Sequence, residues 1–209
     1  MSARDLLHRY LDPCPLVAII RGVTPDEAQT MGEAIVEAGI RIIEVPLNSP
    51  DPLQSIETLA KRFGDEVLVG AGTVLDPADV GRVWDAGGRL IVSPNIDFDV
   101  IAATAAIDLV SCPGYFTPSE ALAAIQTGAT ALKLFPAEAA TPAVLRAQRA
   151  VLPKDVPILV VGGVKPDVMR PWIDAGATGF GLGGGLYQPG QSSQDTLEKA
   201  RAYVAGLTA

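Results

Sequence analysis

Lys133 stands in the run Ala131-Leu132-Lys133-Leu134-Phe135-Pro136, where every other side chain is apolar. A lysine is seldom placed in a buried strand without a partner or a task. Strand side chains alternate between two faces, so Ala131, Lys133 and Phe135 share one face, and Leu132 and Leu134 share the other. Glu44 interrupts a second apolar run, Ile42-Ile43-Glu44-Val45-Pro46, and Arg21 ends a third, Leu16–Arg21. One reading of Lys133 is an ion pair between strands, with Glu44 as its counter-ion. Stability alone does not favour three charges brought to one mouth of a core. Covalent chemistry suits them better. A lysine amine is protonated in water up to a pH of about 10.4. Desolvation and a nearby cation lower that value and free an amine to attack a ketone. A carboxyl such as Glu44 can then move the protons that release water from the carbinolamine and begin cleavage of the adjacent carbon–carbon bond.

Composition removes most competing chemistries. The chain has one histidine, His8, so His-based triads and His-rich zinc sites have no material. Its two cysteines, Cys14 and Cys112, make no disulfide framework and lack metal-ligand spacing. No metal and no cofactor is expected. The net charge of −8, with no basic run, speaks against a nucleic-acid surface but leaves room for a small anion at a local positive site. No apolar run approaches the roughly 20 residues of a membrane span. Met1–Tyr10 carries charges and no apolar stretch of the secretory kind, so a cytoplasmic protein is expected.

These charges need a scaffold, and the chain repeats one. Eight short apolar runs with strand character start at Leu16, Ile40, Val67, Leu90, Asp108, Ala131, Pro157 and Thr178; the fifth ends at Pro113. Helix starts lie between them. Thr24-Pro25, Asp76-Pro77 and Thr117-Pro118 each put a capping side chain before a proline at the first helical position, with acidic residues following. Thr141-Pro142 and Lys165-Pro166 are similar, although Lys165 is a poor cap. Gly39, Gly87, Gly128 and Gly176 mark helix ends. Repeated strand–helix units with strands apolar on nearly every position predict a parallel sheet covered by helices. The expected fold is therefore α/β: a compact (β/α)₈ TIM barrel in a single domain, 1–209, with an extra N-terminal helix over Ser2–Leu11 across the barrel bottom. A doubly wound open sheet is the alternative. Two glycine turns, Gly162-Gly163 after the seventh run and Gly183-Gly184 after the eighth, fall where barrels hold a phosphate on backbone N–H groups. Parity also sets Val161 in register with Leu159 and Gly163, facing the same mouth.

The motifs together resemble the class I, pyruvate-forming 2-keto-3-deoxy-6-phosphosugar-acid aldolases. They are Ile20-Arg21-Gly22-Val23-Thr24-Pro25, Glu44-Val45-Pro46-Leu47-Asn48-Ser49-Pro50, Gly70-Ala71-Gly72-Thr73-Val74, Ser93-Pro94-Asn95, Cys112-Pro113-Gly114, Lys133-Leu134-Phe135-Pro136 and Val161-Gly162-Gly163-Val164. The resemblance implies that Lys133 forms the Schiff base and Glu44 shuttles protons. It implies that Arg21 and Thr73 contact the substrate's acid end and hydroxyls, with Pro94 and Phe135 beside the bound substrate. Gly162, Gly163, Gly183 and Gly184 are its implied phosphate cradle. It further implies a homotrimer and a phosphorylated keto-acid substrate cleaved to pyruvate and glyceraldehyde 3-phosphate.

Two branches of that family differ in the configuration of their substrate at C4. Leu47-Asn48-Ser49-Pro50, Arg21 and Val161 resemble the branch acting on 2-dehydro-3-deoxy-6-phosphogalactonate; the gluconate branch usually has arginine at the position of Asn48 and threonine at that of Val161. Pro136-Ala137-Glu138 resembles the gluconate branch instead, and Gly184 stands where a serine is common. The alternatives are gluconate-branch activity, a relaxed enzyme for both epimers and 4-hydroxy-2-oxoglutarate, and a non-catalytic sugar-phosphate-binding barrel. A metal-dependent aldolase has little support in a chain with one histidine.

Overall fold

The computed structural model describes residues 1–208. Nine strand segments form one parallel sheet: β1 (Leu16–Ile19), β2 (Ile42–Pro46), β3 (Leu68–Gly72), β4 (Leu90–Val92), β5 (Val110–Cys112), β6 (Gly114–Tyr115), β7 (Leu132–Leu134), β8 (Ile158–Val161) and β9 (Gly179–Leu182). β1 pairs with β2 on one side and β9 on the other. The two ends of the strand order, β5 and β6, are consecutive in the chain and separated only by Pro113. They are two parts of one stave. β5 pairs with β4 and β6 with β7, so the sheet closes into eight staves. The fifth run was expected to end at Pro113, yet its pairing continues through Tyr115. Proline cannot donate to a ladder, but its carbonyl still accepts. Lys133 N–H donates to the Pro113 carbonyl at 2.9 Å, and Ala131 N–H to that of Ser111 at 3.0 Å.

Each stave leads into a helix: α2 (Pro25–Glu37), α3 (Pro52–Phe63), α4 (Pro77–Asp85), α5 (Phe98–Ala106), α6 (Pro118–Thr127), α7 (Pro142–Arg149), α8 (Met169–Asp174) and α9 (Ser193–Gly206). The fold is the (β/α)₈ barrel that the repeated units predict. The proline-led starts are real. Asp76 accepts from Ala78 N–H at 2.8 Å, and Glu120 accepts from Thr117 N–H at 2.7 Å in a capping box. Lys165 makes no side-chain cap; a three-residue 3₁₀ turn, Pro166–Val168, precedes α8 instead. No helix among the described residues is long and apolar enough to cross a membrane.

Alternation divides the apolar side chains into two layers. Leu132, Leu134, Ile43, Val45 and Val69 point outward into the layer beneath the helices. Val17, Ile19, Ile42, Leu90, Val92, Ala131, Leu159 and Val161 fill the barrel interior. The lower end of that interior is closed by α1 (Ala3–Leu11), which buries Leu7, Tyr10 and Leu11 there. Two contacts help to fix α1: Ala3 N–H donates to Asp108 Oδ1 at 3.0 Å and the Tyr10 hydroxyl to the Asp65 carbonyl at 2.8 Å. With the bottom plugged, the interior opens only toward the carboxyl ends of the strands.

Candidate active site

β7 aims Lys133 into the barrel, where its side chain is 6% exposed. It lines the interior beside Ile42, Glu44 and Cys112, and it also lines a cleft of about 520 Å³ at the barrel mouth. Ile19, Val161 and Gly181 share this double position and form the floor of the cleft around it. Phe135, two residues on and on the same face, brings its ring to 4.8 Å from Lys133 Nζ, a cation–π approach.

Glu44 is level with Ile19 in the register of β1 and β2. It is 1% exposed, lines the interior and not the cleft, and no protein group donates a hydrogen bond to its Oε2. Burial pushes its carboxyl up to about 7, and the positive charges of Lys133 and Arg21 only partly oppose that rise. A carboxyl in this range exchanges protons in both directions near neutral pH. The same burial pushes the Cys112 thiol up to about 12, so it stays protonated and behaves as a small apolar filler.

Arg21, just past β1, reaches over the mouth, where its guanidinium donates to Asn48 Oδ1 and, at 3.4 Å, to Thr73 Oγ1. Thr73 follows β3 directly and has φ +54°. A β-branched residue is strained in this left-handed region, a cost that recurs at functional sites. The arrangement leaves a guanidinium and a hydroxyl on one wall of the cleft, a suitable pair for a carboxylate.

The two glycine turns, after β8 and β9, also line the cleft. A β-carbon on Gly183 or Gly184 would meet nothing within 4 Å, so these residues leave open space in the cleft. Gly162 and Gly163 are different. Their φ values are +118° and +63°, and β-carbons there would run into the side chain of Glu138. The spacing of both glycine pairs predicts room for a phosphate; at 162–163 the room is taken by the Glu138 carboxylate. Glu138 and Lys165 both line the cleft, and the residue-by-residue expectations included neither of them. They sit in loops, where strand parity gives no direction. All the expected residues other than Glu44 meet in this one cleft: Arg21, Thr73, Pro94, Lys133, Phe135, Val161 and the four glycines. Among the described residues, no three His, Cys, Asp or Glu side chains are grouped as metal ligands.

Fold and site define a barrel enzyme built round an interior lysine, with a buried carboxyl in the same interior and glycine turns at the mouth. A sequence profile of the KDPG and KHG aldolases matches residues 7–200, and the chain belongs to that family. It is 46% identical over 190 residues to the 2-dehydro-3-deoxy-6-phosphogalactonate aldolase of Escherichia coli K12, spanning 91% of this chain and 93% of the relative. It is 48% identical over 195 residues to a probable 2-dehydro-3-deoxy-6-phosphogalactonate aldolase of Rhizobium meliloti, spanning 93% and 92%. A solved structure described as native KDPGal superposes with a TM-score of 0.91 at 45% identity, over 93% of this chain and 94% of that one.

Proposed function

We propose that this aldolase cleaves 2-dehydro-3-deoxy-6-phosphogalactonate to pyruvate and glyceraldehyde 3-phosphate through a Schiff base on Lys133, as a cytoplasmic enzyme. One observation carries the reading: among the described residues, Lys133 is the single lysine whose side chain enters the barrel, at the floor of the cleft. Lys61, Lys154, Lys165 and Lys199 lie outside the strands. The neutral amine attacks the C2 ketone. Loss of water from the carbinolamine gives an iminium, which withdraws electrons as the C3–C4 bond breaks. The C4 hydroxyl gives up its proton and the aldehyde leaves. The remaining enamine takes a proton at C3, and hydrolysis releases pyruvate and restores the lysine. Glu44, with its carboxyl near 7, is suited to move these protons.

In this reading Arg21 and Thr73 hold the substrate carboxylate. Pro94 and Phe135 wall the imine, and Gly183 and Gly184 present backbone N–H groups to the phosphate. The galactonate epimer is favoured by apolar Val161 at the cleft floor and by the names of the two relatives. We also assign a homotrimer. Leu75 and Phe116 on βα connections and Phe98 at the first position of α5, exposed by 54%, 36% and 52%, supply apolar surface for contact between copies.

The experiment is trapping with pyruvate and borohydride, read by peptide mass spectrometry. One reduced adduct per chain is expected at Lys133, none in Lys133→Ala, and no change with EDTA. A label on another lysine sinks the assignment.

A further inference from the structure

Between the lysine and the glycine turns the cleft floor offers a substrate little to hydrogen-bond with. Ile19, Val161 and Phe135 are apolar and Gly181 has no side chain. Arg21 and Thr73, the polar pair, are engaged with one another. One acceptor side chain stands against the turn that follows Val161. Glu138, five residues beyond Lys133 on the 3₁₀ turn Ala137–Ala139, lines the cleft with its carboxylate packed on Gly162 and Gly163.

We infer that Glu138 is a specificity residue that accepts a hydrogen bond from the hydroxyl next to the phosphate-bearing carbon, so that the cleft selects hydroxylated aldehydes. This rests on the Schiff-base reading above. An aldehyde half that runs from an imine on Lys133 to a phosphate at the glycine turns carries its hydroxyl past the floor, where that carboxylate is the neighbouring acceptor. A carboxylate accepts and never donates when ionised, so it suits a hydroxyl and repels a phosphate. The phosphate is thereby directed to Gly183 and Gly184, where the space is open. The glycines at 162 and 163 make room for the Glu138 side chain, a need that phosphate binding alone does not impose.

The test runs the reaction in the direction of synthesis, with pyruvate and either glyceraldehyde 3-phosphate or 3-phosphopropanal, which lacks only the hydroxyl. Wild type is expected to prefer the hydroxylated acceptor by about tenfold in kcat/KM, the scale of one hydrogen bond to a charged group. Glu138→Ala should bring the ratio near one. Glu138→Gln keeps the bulk and a neutral acceptor, and should retain about threefold. Deuterium exchange into the pyruvate methyl group reads imine and enamine formation without any aldehyde. An unchanged ratio in both variants, or no preference in wild type, overturns the inference. So does a loss of exchange in Glu138→Gln that parallels the loss of synthesis, which would put Glu138 in the imine chemistry. A wild type that exchanges no deuterium and traps no pyruvate fails the Schiff-base reading itself.

Discussion

Glu44 on β2 and Gly72 at the end of β3 are in contact in a way that fixes both: a β-carbon at position 72 would overlap the Glu44 carboxylate. The absent side chain is what lets the full carboxyl extend along β3 toward the carboxyl end of the barrel. Gly72 has no positive φ, so alanine would suit its backbone, and the nearest atoms its β-carbon would meet are those of the Glu44 carboxylate. Gly72→Ala is expected to slow turnover by roughly 10²–10⁴-fold, the share of a positioned acid–base group, and to match Glu44→Gln. Steady-state kcat on folded proteins checks this. A Gly72→Ala enzyme at the wild-type rate shows that the carboxyl is not needed where it lies.

Stability should carry the mark of the same carboxyl. Its value rises from 4.5 to about 7 on folding, so between these pH values the native state binds more protons than the unfolded chain. Unfolding free energy then falls as pH rises through this window, by at most about 1.4 kcal/mol per pH unit for one proton. Below 4.5 the carboxyl is neutral in both states and the effect vanishes. Glu44→Gln has no proton to lose, and should flatten this part of the curve. Denaturant unfolding between pH 4.5 and 7.5 decides the matter; equal slopes in the two proteins would place the carboxyl's value elsewhere.

Epimer choice is expected to respond to Val161. Its side chain packs on Gly181, where a β-carbon would strike Val161 Cγ2, so the floor has no room for a larger residue. Threonine has nearly the shape of valine and adds a hydroxyl, which alters hydrogen bonding and not volume. A site that hydrogen-bonds a hydroxyl discriminates far better than an apolar one that merely tolerates it. Val161→Thr should move the kcat/KM ratio toward the gluconate epimer, by about tenfold if one hydrogen bond is gained. Parallel assays of both epimers read this out, and an unchanged ratio means C4 is read by other groups.

Assembly is checked by sedimentation at micromolar concentration, where a trimer is expected. Phe98→Asp puts a charge on the apolar rim without touching the cleft, and should shift the equilibrium toward smaller species. A wild-type chain that sediments as a monomer ends the trimer proposal.

Much of this protein is written locally. The proline-led caps at Thr24, Asp76 and Thr117 and the apolar strand runs are short-range signals, since capping and alternation depend on neighbours in the chain. Parity alone put Lys133, Phe135 and Val161 on the inner face, because a strand inside a barrel has only two directions to offer. What parity could not supply is depth. That Glu44 stands level with Ile19 with its carboxylate against Gly72, and that Lys133 stands level with Leu159, follows from register and packing, properties of neighbouring strands. Glu138 and Asn48 were visible as motif letters, but the segments after the strands have no period, and only the pairing of β7 with β8 and of β1 with β2 brings Glu138 onto Gly162 and Gly163 and Asn48 to the Arg21 guanidinium. The fifth stave makes the same point: Pro113 breaks a strand in sequence terms, whereas its carbonyl, set opposite the Lys133 N–H by the closed sheet, carries the pairing through. The chain by itself determined which side chains face inward; tertiary closure decided which of them meet, because distance between strands far apart in sequence is set by hydrogen-bond register and not by any local rule.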